Sequence, residues 1–175
     1  DSNQFYQMDH QANFMAWNQI MAAPDGVRRR MALALSEFFV ASISGVSTIS
    51  WAQFAMGHYW DILSNNAFGN YRQLLEEVTL SIAMGEFLNT LGNQKEDAAT
   101  GRLPDENYSR EVMQLFTIGL QQLNIDGSLV KVNGAPVETF TQSDVSNLAR
   151  VFTGYQTDDT EGWFESVVPP TYRVR

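Results

Sequence analysis

Apolar side chains return every three or four positions through most of this chain, and short clusters of Gly, Pro, Asn and Ser interrupt them. That rhythm predicts helices joined by tight connections. The first covers about residues 5–23, with Phe14, Trp17, Ile20 and Met21 at helical spacing, and Pro24-Asp25-Gly26 breaks it. The second, about 27–42, aligns Val27, Met31, Ala34, Leu35, Phe38 and Phe39 along one face; a polar, Gly-containing loop follows to residue 50. A third helix, about 51–64, carries Trp51, Phe54, Ala55, Tyr59, Ile62 and Leu63. Asn70, with Gln73 three residues on, has the form of a capping box for a fourth helix over about 71–80. Ser81 opens a shorter fifth helix ending near Gly92, and residues 93–103 read as a polar surface loop.

The next stretch holds the densest chemistry. Pro104 suits a first helical turn, whose N–H groups go unpaired anyway, and Asp105 and Glu106 follow where the helix dipole favours negative charge. Tyr108, Val112, Leu115, Phe116 and Gly119 share a face, and Gly119 supplies a left-handed stop. Beyond it, Asp126-Gly127 and Asn133-Gly134 bracket a short extended run, a hairpin-like excursion within residues 124–140. Thr141, with Asp144 three positions on, caps a last helix stopped by Gly154. The expectation is a mainly α protein, a compact multi-helix bundle with one β-hairpin-like excursion. Its helical domain occupies residues 1–155 of a larger protein, and an irregular tail follows over 156–175.

Charge narrows the function classes. Eleven basic residues against 20 acidic ones give −9, the wrong sign for neutralising phosphates, so nucleic acid is not an expected partner. No Cys is present, which removes thiolate nucleophiles and Cys-ligated zinc. No run approaches the ~18 apolar residues of a membrane helix, so no transmembrane segment is expected in this piece. Amides and hydroxyls take the place of many surface charges, a composition that fits an exported protein or one with a covered surface.

The candidate site is an ionic cluster. Glu106 and Arg110 are spaced for a helical salt bridge, and Asp105, Asn107 and Glu111 flank them. Arg28, Arg29 and Arg30 stand in the first turn of their helix, where the dipole disfavours cations, so compensating carboxylates are expected; Glu76, Glu77 and Glu111 are the candidates. Arg72 follows the Asn70 cap and could join. The leading reading sets Asp105, Glu106, Asn107, Arg110, Glu111, Arg28, Arg30 and Arg72 in a buried network that holds the bundle in register. The alternatives are a solvated face and a ligand or catalytic site.

Other motifs give less. His10 and His58 lack partners at metal-ligand spacing, so neither a metal nor another cofactor is expected. Asn124, Asp126 and Ser128 alternate like calcium ligands, but Gly127 falls at the wrong position and no closing Glu follows, so they read as a turn. No Gly-x-Ser-x-Gly elbow occurs. Trp51 and Trp60 read as core, and Trp163-Phe164 as a contact with a partner or with a missing part of the chain.

Several runs together resemble one bacterial family, catalogued as domain of unknown function number eighteen hundred. They are Arg28-Arg29-Arg30-Met31-Ala32-Leu33-Ala34-Leu35-Ser36, Asn66-Ala67-Phe68-Gly69-Asn70-Tyr71-Arg72 and Ala83-Met84-Gly85. Pro104-Asp105-Glu106-Asn107-Tyr108 with Arg110-Glu111, Leu115-Phe116-Thr117-Ile118-Gly119 and Ala149-Arg150-Val151-Phe152-Thr153-Gly154 complete the set. Ser109 departs from the Ala more usual there. The resemblance implies a larger bacterial protein, exported to the periplasm, cell surface or medium, and it supplies no catalytic set. The expected role is binding or assembly at the cell envelope, with another protein chain or an extracellular polymer as partner. The alternative is a hydrolase-type enzyme using the acidic and arginine groups around residues 105–111.

Overall fold

The computed structural model describes residues 10–46, 48, 49 and 52–157. Phe5, Trp51 and Trp163-Phe164 lie outside them, as does the expected tail beyond residue 157. Among the described residues there are seven α-helices and one small antiparallel ladder, so the fold is mainly α with a short hairpin. The chain divides into two compact units, Asp1–Leu91 with Gln156–Arg175, and Gly92–Tyr155.

The first unit contains α1 (His10–Ala22), α2 (Gly26–Phe38), a 3-10 turn (Ile43–Val46), α3 (Ala52–Asn65), α4 (Tyr71–Thr79) and α5 (Ile82–Phe87). Helix α3 is central, packing on α1, α2, α4, α5 and the 3-10 turn. Its sequence suits that place, because Ala52, Ala55, Tyr59, Trp60, Ile62 and Leu63 are all buried. The buried aromatics satisfy their polar ends, as such rings must. The Tyr59 hydroxyl donates to the Phe39 carbonyl at 2.9 Å, and Trp60 Nε1 donates to Gln19 Oε1 at 2.8 Å.

Two helices turn faces to the core other than those periodicity selects. On α1, Phe14, Trp17 and Met21 are 69, 57 and 83 % exposed; of the expected stripe Ile20 is half-buried, and Met15, Ala16 and Gln19 are half-buried with it. On α2, Val27, Met31, Ala34 and Phe38 are exposed while Ala32 is buried and Leu35 half-buried; Phe39, just past its end, is also buried. Helix α2 also has apolar residues outside the expected stripe, at Ala32 and Leu33, so spacing alone leaves its inner face open. The choice falls on the side where Ala32 lets a neighbour approach.

Helix α4 begins at the expected cap. Asn70 Oδ1 accepts from the backbone N–H groups of Arg72 and Gln73, at 2.9 and 3.3 Å. The Gln73 side chain donates to Glu77 at 3.0 Å and does not return to residue 70, so the cap is one-sided. Leu74 and Val78 anchor the inner face.

In the second unit the segment after Pro104 is shorter and less regular than its pattern predicts. Helix α6 spans only Asn107–Glu111, and a π-helical turn, Val112–Phe116, continues it. Pro104 and Asp105 precede the helix, and Asp105 Oδ1 accepts from the Asn107 N–H at 2.8 Å. That local bond offers the backbone an alternative to the expected first helical turn. Gly119 does provide the left-handed stop, at φ 73°. Tyr108, Met113 and Phe116 are buried, and Tyr108 meets Phe152 edge-on with ring centres 4.9 Å apart.

The hairpin pairs β1 (Lys131–Val132) with β2 (Ala135–Pro136). Asn133 and Gly134 connect them, both at positive φ, as a two-residue hairpin turn requires. Isolated bridges pair Gln121 with Glu138 and Leu123 with Leu129. Helix α7 (Gln142–Val151) packs on α6 and carries the full capping box: Thr141 Oγ1 accepts from Asp144 N–H, and Asp144 Oδ2 accepts from Thr141 N–H at 2.8 Å.

Candidate functional site

The expected charge cluster resolves into separate small arrangements, and it is not a buried network. Among the described residues no charged residue is buried. Charges left at the rim avoid the desolvation that burial imposes, which an ion pair seldom repays in full.

Glu106 is the best connected of them. Its Oε2 accepts from Arg110 Nη2 at 3.1 Å and from Gln142 Nε2 at 2.7 Å, and its Oε1 accepts from the Ser146 hydroxyl at 2.6 Å. Arg110 Nη2 also reaches Gln142 Oε1 at 3.0 Å. This cluster ties the start of α6 to α7. It holds the Glu106 carboxyl below the usual glutamate range, through the Ser146 bond first, then Gln142, with the Arg110 charge adding to them.

Asp105 and Asn107 belong to a different device. Asn93 Oδ1 accepts from the Asp105 N–H at 2.9 Å, while Asn93 Nδ2 donates to the carbonyls of Phe152 at 3.0 Å and Asp105 at 3.3 Å. Asn93 is only 8 % exposed. Its expected surface loop is therefore anchored from within, and the amide stitches three stretches of backbone. Glu111 stands apart: it is half-buried, and its Oε2 is buried with no hydrogen-bond partner among the described residues. The Ser109 hydroxyl is in the same position.

The arginines of α2 find compensation locally. Arg28 Nε lies 3.9 Å from Asp25 Oδ2, and Arg29 Nε lies 3.3 Å from Asp25 Oδ1. Arg28 Nη1 also donates to the carbonyls of Ser64 (3.0 Å) and Asn65 (3.4 Å), the last two residues of α3. Its guanidinium lies 5.4 Å from the centre of the Phe68 ring. A cation misplaced at the start of its own helix thus serves the negative end of another. Arg30 and Arg72 are exposed. Of the carboxylates expected to meet these arginines, Glu77 is used otherwise: it accepts from Asn66 at 2.8 Å and from Gln73.

Two cavities lie in the first unit. One of about 310 Å³ is walled by α1, α2 and α3, with Trp17, Ile20, Leu33, Met56, Tyr59 and Trp60 around it. The other, about 290 Å³, reaches from His58 and Ile62 on α3 to Glu76 on α4 and on to Ser81. Sequence reasoning missed both, and it missed Asn93. The signal available for Asn93 was its place between Gly92 and a long polar run, and periodicity gives such a residue no weight. Among the described residues no three His, Asp or Glu side chains gather so as to hold a metal ion.

A family model described as "Protein of unknown function (DUF1800)" matches residues 2–171. No curated protein and no solved structure matches the chain.

Proposed function

We propose that this chain, which belongs to the DUF1800 family of proteins of unknown function, is a docking module of an exported protein and holds another protein chain at the cell envelope. The observation that carries this reading is the apolar surface of the second unit. Within residues 115–132, Leu115, Ile118, Leu120, Leu123, Ile125, Leu129 and Val132 are all exposed. Exposed apolar side chains gathered in one short stretch suit an interaction site, and a ladder of two-residue strands is marginal without further packing. On a chain of net charge −9, the complementary partner presents apolar side chains within a basic rim. Among the described residues no helix is long and apolar enough to cross a membrane.

The test is a photo-crosslinking residue at Leu123, with a control at exposed Asn147, in the bacterium that makes the protein. One protein adduct at Leu123 is expected, absent at Asn147 and lost in Ile118→Asp. The partner and the chain, purified, should then bind. No adduct, or an adduct to polysaccharide alone, overturns the reading, and cell fractionation that leaves the protein in the cytoplasm overturns its envelope part.

A second reading rests on Glu111. A buried carboxylate oxygen without a partner, followed by a π turn of the sort frequent at functional sites, suits an acid or base of a hydrolase-type reaction. Under this reading Glu111→Gln keeps the fold and abolishes a measured hydrolytic activity. A variant that unfolds, or one that keeps full activity, rejects it.

A further inference from the structure

The outer face of α2, in the first unit, carries a seam that complements itself. Val27, Met31, Ala34 and Phe38 are all exposed there. They follow one another at intervals of four, three and four residues, the rhythm by which one helix packs along another in a coiled coil. Arg30 and Glu37 are exposed too, each one position before a seam residue, and so on the same flank. Flanking positions of this kind form the salt bridges between paired helices. Neither side chain has an ion pair or hydrogen bond among the described residues.

We infer that this face is the interface of a symmetric dimer, in which α2 of a second copy of the chain lies antiparallel along α2 of the first. A two-fold axis across such a pair sets residues near one end of the helix against residues near its other end. With Val27 facing Phe38 of the second copy, Met31 faces Ala34. Each layer then joins a larger side chain to a smaller one, and the symmetry repeats both layers.

Charge selects the same alignment. It brings Arg30 of each copy to within two residues, about 3 Å along the axis, of the level of Glu37 in the other, on the flank the two helices share. Two identical bridges result. A parallel pair would leave the same charges about 10 Å apart along the axis, out of reach. The dipoles agree with the antiparallel choice. Within its own helix Arg30 stands towards the N-terminal end and Glu37 in the last turn, the ends that disfavour each of them. An antiparallel neighbour offers the cation a negative helix end and the carboxylate a positive one. A seam of about three turns is short, so the dimer is a reversible one.

Sedimentation equilibrium of the whole chain over a concentration series tests the inference. The average mass is expected to rise from 19.7 kDa towards twice that value. Arg30→Glu and Glu37→Arg should each weaken self-association at least about tenfold, because both bridges become like-charge contacts in either variant. The two variants mixed together should associate as well as the original chain, since the mixed pair regains both bridges. The chain carrying both substitutions should also regain self-association, which separates a lost interface from a lost fold. A mass of one chain at every concentration overturns the proposal. So does self-association that neither substitution weakens. A mixture of the two variants that fails to associate overturns it as well, the result expected if another segment of the same chain covered this face.

Discussion

Replacing Asn93 by Ala is the sharpest test of how the second unit is held together. The side chain makes three hydrogen bonds, all to backbone: it accepts from Asp105 N–H and donates to the carbonyls of Asp105 and Phe152. Two are of ordinary length, 2.9 and 3.0 Å, and one is long at 3.3 Å. Each ordinary bond contributes about 1 kcal/mol net, and a buried group left unpaired costs about 1–3 kcal/mol. With Asn93 8 % exposed, water replaces the lost partners poorly. The expected loss is therefore about 2–4 kcal/mol, a large share of the roughly 5–15 kcal/mol by which domains are stable. Chemical denaturation followed by circular dichroism measures the total. Hydrogen exchange at the Asp105 amide, which loses its acceptor, localises it. Asn93→Asp sharpens the test at neutral pH, since the acceptor for Asp105 N–H survives while an anionic oxygen replaces the donor facing two carbonyls. It should be less stable than Asn93→Ala. A loss below about 0.5 kcal/mol for Asn93→Ala, the scale of ordinary surface changes, would refute the reasoning. An Asp variant more stable than the Ala variant would do so too.

Glu106 sets an acid limit. Its carboxyl is held below its ordinary value by Ser146 and Gln142, so its folded pKa lies beneath the unfolded one. The stability it contributes is present above the unfolded glutamate pKa of about 4.3 and is lost as pH falls through the folded value. Glu106→Gln should flatten the acid limb of a stability–pH curve; an unchanged limb would show that the cluster carries no such linkage. Thr141→Ala removes one side of the α7 capping box and should cost about 1 kcal/mol by urea denaturation, with no change counting against the cap. A Cβ at Gly45 would stand 2.4 Å from the Phe87 ring. Gly45→Ala should therefore destabilise by about 1–3 kcal/mol in a thermal melt, and a stabilised variant would mean that the ring moves freely.

What the sequence revealed, and what it hid, follows from the range of the interactions involved. Asn70, Thr141 and Gly119 were legible because caps and left-handed stops are decided within four or five residues. Glu106 with Arg110 was legible for the same reason. The inner face of α2 was not, since Ala32 and Leu33 lie outside the expected apolar stripe and only the neighbours of the helix choose between the two sides. Arg28 was flagged as misplaced in its own helix, but its partners lie 36 and 37 residues away on α3, beyond any local rule. Asn93 looked like loop because polar residues are assigned to the surface by default, and its three bonds span up to 59 residues. Ser81 was read as a helix start, which it is, but its hydroxyl's failure to cap could be seen only in three dimensions.

The π turn over Val112–Phe116 amounts to a helix carrying one surplus residue. Thr117 Oγ1 and Ile118 N–H both reach back five positions, to the carbonyls of Val112 and Met113. The wide turn winds about as far around the axis as an ordinary turn does with one residue fewer, so excising a single residue there lets four-back bonding resume with the downstream faces nearly in place. Helix content would survive such a deletion, and Ile118 would keep its side. Adding a further ordinary helical residue between the Tyr108 anchor and Gly119, by contrast, would swing everything beyond it by about 100°.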